Sequence, residues 1–252
     1  MEQTTAPLDG MWLRGFVPIA THFGFYENEE LVGYCCINDD NYLLQFHLCP
    51  ENQNQAFIIF DSILTQNNSP IEEIKGAFVS TAEPLYLSLC LDGFSNFEVN
   101  ALMYQLDKNL ITGRNQESEL QLKIVKPDQL AEVVKFENTN IGAPEEWLTD
   151  YNTNLINREE VLGYWENGRL LAIGECRESV EYQTDYADLG VIVDASMRGK
   201  GYATKILKQL VTRTEAKGLK PICSTEKTNI GAQKAISRAG FFAGHRIIQF
   251  EF

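Results

Sequence analysis

Residues 193–210 read VDASMRGKGYATKILKQL. The eight residues leading into them, 186–193, are mostly apolar and short enough for a buried strand, while Ala203, Ile206, Leu207, Leu210 and Val211 recur at helical spacing. The stretch is therefore read as strand, loop, helix. Gly199 and Gly201 stand where the chain has to turn closely, so backbone N–H groups at the helix start can converge on one anion. A phosphate is the natural candidate.

Spacing decides which phosphate. A loop of the Gly-x-x-x-x-Gly-Lys-Ser/Thr kind needs four residues between its first Gly and the Gly-Lys pair, but the order here is Gly199-Lys200-Gly201-Tyr202-Ala203-Thr204-Lys205. A dinucleotide fingerprint needs a third Gly or Ala where Thr204 stands, and more parallel strands after it. Neither requirement is met. What remains is Arg198-x-x-Gly201-x-Ala203 after an apolar strand, then a second strand-like run at Pro221-Ile-Cys-Ser-Thr, then Asn229-x-x-Ala232, then Gly240-Phe241 at a helix end. In this order and spacing the motifs resemble those of the GNAT superfamily of N-acetyltransferases, over about residues 120–252. The resemblance implies an α+β fold, a mixed and mostly antiparallel sheet flanked by helices, with acetyl-coenzyme A as cosubstrate and no metal.

Composition agrees with a soluble globular chain: 252 residues, 44% hydrophobic and 22% charged, are enough for one or two ordinary cores. No apolar run approaches the roughly 20 residues needed to cross a bilayer, and Met1-Glu-Gln-Thr-Thr does not begin an export signal. No membrane partner is expected. Six cysteines form no Cys-x-x-Cys pair and lie mostly in apolar segments, which suits reduced thiols and a cytoplasmic location. Only His47 beside Cys49 approaches metal-ligand spacing, so no metal site is expected. The charge is uneven. Residues 1–120 hold four Lys and Arg against seventeen Asp and Glu, whereas residues 121–252 hold seventeen against eighteen. Such a chain is a poor partner for nucleic acid, which is held by neutralising phosphates. An acidic first half serves solubility, or draws a cationic substrate towards the second.

The two halves also read as copies. Phe23-Gly-Phe-Tyr-Glu-Asn-Glu-Glu-Leu-Val aligns with Leu162-Gly-Tyr-Trp-Glu-Asn-Gly-Arg-Leu-Leu, each a strand, a turn at Glu-Asn and a second strand. An apolar strand at 42–49 and a helix at 56–64 match those at 186–193 and 203–211; Gly93-Phe94 matches Gly240-Phe241, and the runs 97–106 and 245–252 close each copy. We expect two GNAT-like domains, residues 1–106 and 120–252, joined by a linker at 107–119. The second opens with a strand at 120–125 and an amphipathic helix after Pro127 carrying Leu130, Val133, Val134 and Phe136. The first copy is degenerate: its strand-to-helix turn, Pro50-Glu-Asn-Gln-Asn-Gln, has neither glycine nor a basic residue. One cofactor per chain is expected.

The resemblance also assigns roles. It implies that backbone of Val191, Ile192 and Val193 meets the thioester and pantetheine amides, and that Arg198, Gly199, Lys200, Gly201, Tyr202, Ala203 and Thr204 cradle the pyrophosphate, with Lys200 or Lys205 adding charge. Asn229 meets the pantetheine arm, or caps its own helix. Where the family usually has a Tyr that protonates the leaving thiolate, this chain has Ile236. Ser237, Tyr202 or water could replace it, or transfer could be absent. The carboxylates nearest the expected acetyl position are Asp188 and Glu175, candidates for the general base. The segment 138–151, with Glu145, Glu146, Trp147 and Asp150, would form a substrate wall suited to an ammonium group. The implied activity is N-acetylation of a primary amine of a small molecule or peptide. The alternative is a regulatory protein that binds coenzyme A or an acyl-CoA without transfer.

Overall fold

A computed structural model describes residues 4–65, 71–110, 120–179 and 181–252. The chain divides into two compact units, residues 1–103 with 244–252, and residues 104–243. The first unit holds β1 (Thr21–Glu27), β2 (Glu30–Ile37), β3 (Tyr42–Leu48), α1 (Ala56–Leu64), β4 (Gly76–Ser80), α2 (Pro84–Gly93) and most of β5 (Asn96–Leu106). The second holds β6 (Lys123–Ile124), α3 (Leu130–Ile141), α4 (Glu145–Asn157), β7 (Val161–Glu166), β8 (Arg169–Glu178), β9 (Tyr186–Val193), α5 (Tyr202–Ala216), β10 (Lys220–Glu226) and α6 (Ile230–Arg238). The last strand, β11 (Phe241–Glu251), ends in the first unit.

The repeat is visible in the pairing. In the first unit β1–β2 and β2–β3 are antiparallel and β3–β4 parallel; in the second β7–β8 and β8–β9 are antiparallel and β9–β10 parallel. Even the irregularities coincide. The register slips between Phe25 and Tyr26 in one hairpin and between Tyr164 and Trp165 in the other, which are aligned positions. Both turns use positive φ, Asn28 and Glu29 in the first copy and Asn167 and Gly168 in the second, as a two-residue hairpin with the native strand twist requires.

Two findings differ from the sequence expectation. The strand expected at 120–125 shortens to Lys123–Ile124, because pairing with β7 extends over Lys123↔Gly163 and Ile124↔Leu162 only. The C-terminal residues 244–252 leave the second unit: β11 pairs with β4 from Ile247↔Ser80 to Glu251↔Gly76, and Phe250 is fully buried in the first core beside Leu43, Phe46, Phe60 and Tyr86. Of the expected linker, residues 111–119 lie outside the described residues.

Strand alternation in the second unit divides its labour. A Cβ on Gly174 of β8 would strike Ile206 of α5 at 2.7 Å, and the Cys176 thiol meets Thr214 of α5 at 3.3 Å, so Gly174 and Cys176 face α5. The odd-numbered Ile173 packs with Val133, Phe136, Leu155 and Ile156 of α3 and α4. Glu175 and Arg177 follow on that same face, where the alternation carries charge into an apolar layer.

Candidate functional site

The loop after β9 is built by caps and glycines. Asp194 ends the strand and accepts the Ser196 N–H at 2.9 Å, which winds one short turn over Ala195–Met197. Gly199 and Gly201 then adopt φ of 76° and 85°, conformations that side chains rarely take, and a Cβ at either would meet nothing within 4 Å. The space above the loop is open. Lys205 is the first residue of α5 whose N–H returns to the chain, reaching Gly201 O at 3.2 Å, so the N–H groups of Tyr202, Ala203 and Thr204 have no intrahelical acceptor. Free N–H groups at the positive end of a 15-residue helix are suited to an anion.

The loop's side chains have other duties. Arg198 spends its guanidinium on carbonyls, Nε donating to Val193 O at 3.2 Å and Nη2 to Asn140 O at 3.0 Å, and so ties the loop to the end of α3. The Thr204 hydroxyl donates to Ala235 O of α6 at 3.3 Å. Lys200 and Lys205 line a groove of about 490 Å³ with Tyr164, Trp165 and Tyr202.

Next to the loop the sheet opens. Parallel pairing of β9 with β10 extends over Lys220↔Tyr186, Pro221↔Ala187 and Ile222↔Asp188 and then stops, although β9 continues to Val193 and β10 to Glu226. On its other side β9 stays paired with β8 up to Val193. Past Asp188, therefore, alternate residues of β9 offer backbone N–H and C=O groups on the edge turned towards β10, while Val193 O already accepts from Arg198 Nε. Asn229 caps α6, its Oδ1 accepting the Ala232 N–H at 3.0 Å. Ile236 is buried on α6, Ser237 is exposed, and the Tyr202 ring lies 5.7 Å from that of Tyr164.

Beneath the opening lies a charged cluster. Arg177 is opposite Asp188 and Glu175 opposite Gly190 in the β8–β9 register. Arg177 donates through Nη2 to Asp188 at 2.8 Å and through Nη1 to Glu175 at 2.9 Å, and all three side chains are buried. A Cβ on Gly190 would lie 3.0 Å from Glu175 Oε2, so the missing side chain makes room for that carboxylate against the backbone of β9. From α4 the Tyr151 hydroxyl donates to Glu175 Oε2 at 2.8 Å and accepts from Arg177 Nη1 at 3.0 Å. Its ring stacks on that of Trp147 at 4.8 Å and 11°, and Trp147 is 39% exposed. Behind Glu175 sits Glu137 of α3, fully buried, with Oε2 accepting from Asn152 at 2.6 Å. Burial and the neighbouring Glu175 push Glu137 up to about 8, whereas two carboxylates hold the Arg177 guanidinium charged in spite of its burial. Asp188 and Glu175, the carboxylates that the sequence offers as candidates, are therefore both beneath the opening, each ion-paired to Arg177, which the sequence reading did not single out.

The comparisons with known proteins agree with this geometry. Residues 1–107 match the family model described as acetyltransferase (GNAT) domain, and residues 128–241 that of the acetyltransferase (GNAT) family. A solved structure of an acetyltransferase from the GNAT family of Colwellia psychrerythraea is 53% identical; the match covers 100% of this chain and 92% of that one, at a TM-score of 0.94. The chain belongs to the GNAT acetyltransferase family. Two GNAT domains in one chain make it a tandem GNAT acetyltransferase of α+β class. A tandem GNAT protein from the clavulanic acid biosynthesis pathway is 14% identical over 94% of this chain and 84% of its own, at a TM-score of 0.61. A GCN5-related N-acetyltransferase from Sphaerobacter thermophilus is 12% identical over 88% and 77%, at 0.63. At those identities the two share the fold. No curated protein matches the chain in sequence.

GNAT proteins in general use acetyl-CoA, and the open loop and parted strands of this one fit a pyrophosphate and an extended arm. Among the described residues no group of three or more His, Cys, Asp or Glu is placed to hold a metal, and no helix is long and apolar enough to cross a membrane. Two residues of this buried cluster escaped the sequence reading although signals existed. Glu137 stands three and four residues after Val134 and Val133, on the apolar stripe of its helix, where a charge is out of place. Arg177 closes an otherwise buried strand, LLAIGECR, in which a cation needs a partner.

Proposed function

We propose that the chain is an acetyl-CoA-dependent N-acetyltransferase acting on a primary amine of a small molecule or peptide, with one cosubstrate site, in the second unit. One observation carries the reading: parallel strands that part after Asp188 beside a loop whose two positive-φ glycines open onto free space. Backbone of Arg198, Gly199, Lys200, Gly201, Tyr202, Ala203 and Thr204 would hold the pyrophosphate, and the free edge of β9 at Val191, Ile192 and Val193, with Asn229 across from it, the pantetheine arm. Acetyl-CoA supplies the activated acyl group. The chain's own work is to hold the amine beside Glu175, which lies against Gly190, and to take its proton; Asp188, bound to the same Arg177, would keep that guanidinium in place. Trp147 and the carboxylates of Glu145, Glu146 and Asp150 would steer an ammonium group inward. Six cysteines, none of them in a disulfide, suit a reducing compartment such as the cytoplasm.

The test is calorimetry with acetyl-CoA on the folded wild type and Gly201→Asp, followed by thiol release with a panel of amines, polyamines, amino acids and peptides. Binding should be lost in the variant, because an Asp at φ 85° strains the turn and sets a negative charge at the anion site. Unchanged affinity in that variant removes the reading. A second reading, binding of an acyl-CoA without transfer, draws on the buried, apolar Ile236, which cannot donate a proton. Against it, a coenzyme A thiol has a pKa near that of free Cys, about 8.5, and leaves as thiolate without a dedicated acid. Tight binding with no thiol release from any amine would favour this second reading.

A further inference from the structure

We propose that Tyr151 is a proton relay, whose hydroxyl takes the proton an acceptor amine sheds and hands its own to Glu175. This rests on the acetyltransferase reading. The need for a relay comes from burial and from hydrogen bonds already made. Glu175 is 4% exposed, and its Oε2 is the carboxylate oxygen that lies against β9, since a Cβ on Gly190 would come within 3.0 Å of it. Oε2 accepts the Tyr151 hydroxyl at 2.8 Å and Arg177 Nη1 at 2.9 Å. A carboxylate oxygen has about two lone pairs, so an amine N–H arriving at Oε2 finds both taken.

The hydroxyl has room where the carboxylate has none. Its oxygen accepts from Arg177 Nη1 at 3.0 Å and from no other group among the described residues, which leaves a lone pair for an N–H. Burial raises the Tyr151 phenol, so the hydroxyl stays protonated and passes a proton on only as it takes one. Its aim is fixed by packing. Trp147, one turn earlier on α4, stacks on the ring at 4.8 Å and 11°, and the ring packs against the apolar cluster of Val133, Phe136, Leu155 and Ile156. Ile192, which shares a face of β9 with Gly190, packs against that same cluster. Trp147 is 39% exposed, so the stacked rings lead from solvent to the buried carboxylate. The two other buried carboxyl groups have partners of their own: Asp188 accepts Arg177 Nη2 at 2.8 Å and Glu137 accepts Asn152 Nδ2 at 2.6 Å.

The step balances without a further reactant. An N–H bond of the ammonium breaks as an O–H bond forms on Tyr151, and the former Tyr151 O–H bond breaks as one forms on Glu175 Oε2. Tyr151 ends as it began. The freed nitrogen lone pair forms the bond to the acetyl carbon, and the C–S bond breaks with its electrons on sulfur. The second proton, shed by nitrogen as the amide forms, goes to that sulfur or to water, and Glu175 later returns the first to water. In this scheme Tyr151 touches the acceptor and is a catalytic residue, while Arg177 positions both oxygens.

The experiment compares wild type, Tyr151→Phe and Tyr151→Ala, by calorimetry with acetyl-CoA and by thiol release with the best amine of the panel, Tyr151→Ala being assayed with added phenol and with added benzene. Phe keeps the stack and the packing and removes only the hydroxyl. We expect unchanged acetyl-CoA affinity in Tyr151→Phe and a kcat lower by about tenfold or more. Phenol should restore the rate of Tyr151→Ala severalfold and benzene should not, whereas a purely structural ring would be replaced by either. Full rate in Tyr151→Phe, or a Tyr151→Ala rate that the two added rings restore alike or not at all, overturns the relay and leaves the transferase reading standing. A wild type that releases thiol with no amine overturns both.

Discussion

At Glu29 the backbone sits at φ 71°, the position that the second copy gives to Gly168 at φ 76°. A side chain there costs about 1 kcal/mol or more, so Glu29→Gly should raise stability by about that amount, and Gly168→Ala should lower it similarly; urea unfolding of both variants measures it. Arg177 presents the opposite case. Removing one partner of a buried ion network leaves the others uncompensated, so Arg177→Met should cost about 3–5 kcal/mol, while the double variant with Asp188→Asn should recover part of the loss. At this scale the sequence was partly legible. The glycines of the loop could be read, because their need is local: a backbone conformation and an open space. Arg177 and Glu137 could not be placed, since their partners come from β8, β9, α3 and α4 and meet only once the sheet has paired. Arg198 shows the converse, a motif residue whose position was legible and whose side chain serves Asn140 and Val193 instead of an anion.

Between elements, the two copies differ in what fills the gap between their parallel strands. In the first unit β3 and β4 also pair only briefly, at Tyr42↔Gly76 and Leu43↔Ala77, but there Tyr86 of α2 is buried and donates its hydroxyl to Leu43 O at 3.1 Å, where the ladder ends. The chain satisfies its own freed backbone. Its strand-to-helix turn, too, is wound as a short 3-10 helix over Pro50–Gln55, with Glu51 at its start, where the second copy has an open glycine loop. Tyr86→Phe should therefore cost about 1–3 kcal/mol, the penalty of an unpaired buried carbonyl, and leave acetyl-CoA binding unchanged; thermal unfolding and calorimetry read the two separately. Element order and the repeat were legible because apolar periods of 2 and 3.6 and the turn residues survive in both copies. Local identity was a poorer guide: the pentapeptide TNIGA ends α3 at 139–143, with Gly142 at φ 75°, and begins α6 at 228–232.

For the molecule as a whole, protons and the last strand set the stability. Glu137, at about 8 against an ordinary 4.5, keeps in the folded chain a proton the unfolded chain has lost; Glu83 of the first unit, raised by burial to about 7, does the same. Both contributions are complete below pH 4.5 and disappear as pH rises through 7 and 8, so they make the chain less stable across that window. Glu137→Gln should flatten the dependence by up to about 1.4 kcal/mol per pH unit, seen in urea midpoints between pH 5 and 8. The fate of residues 244–252 was illegible from periodicity, which reads a strand but not the sheet it joins. Their removal tests the division into units. Phe250, fully buried, packs against Phe94 at 5.9 Å and Phe97 at 5.6 Å, and its strand covers the edge of β4 with five paired residues, Ile247 to Glu251. Loss of one buried Phe alone costs about 3–5 kcal/mol, and an uncovered β4 exposes a row of unpaired backbone groups. A chain ending at residue 243 should therefore lose the first unit before the second, with protease cuts appearing in β1 to α1 at temperatures where the full chain resists. Cuts confined to 120–243 would show that β11 belongs energetically to the second unit, and an unchanged unfolding temperature that it stabilises neither.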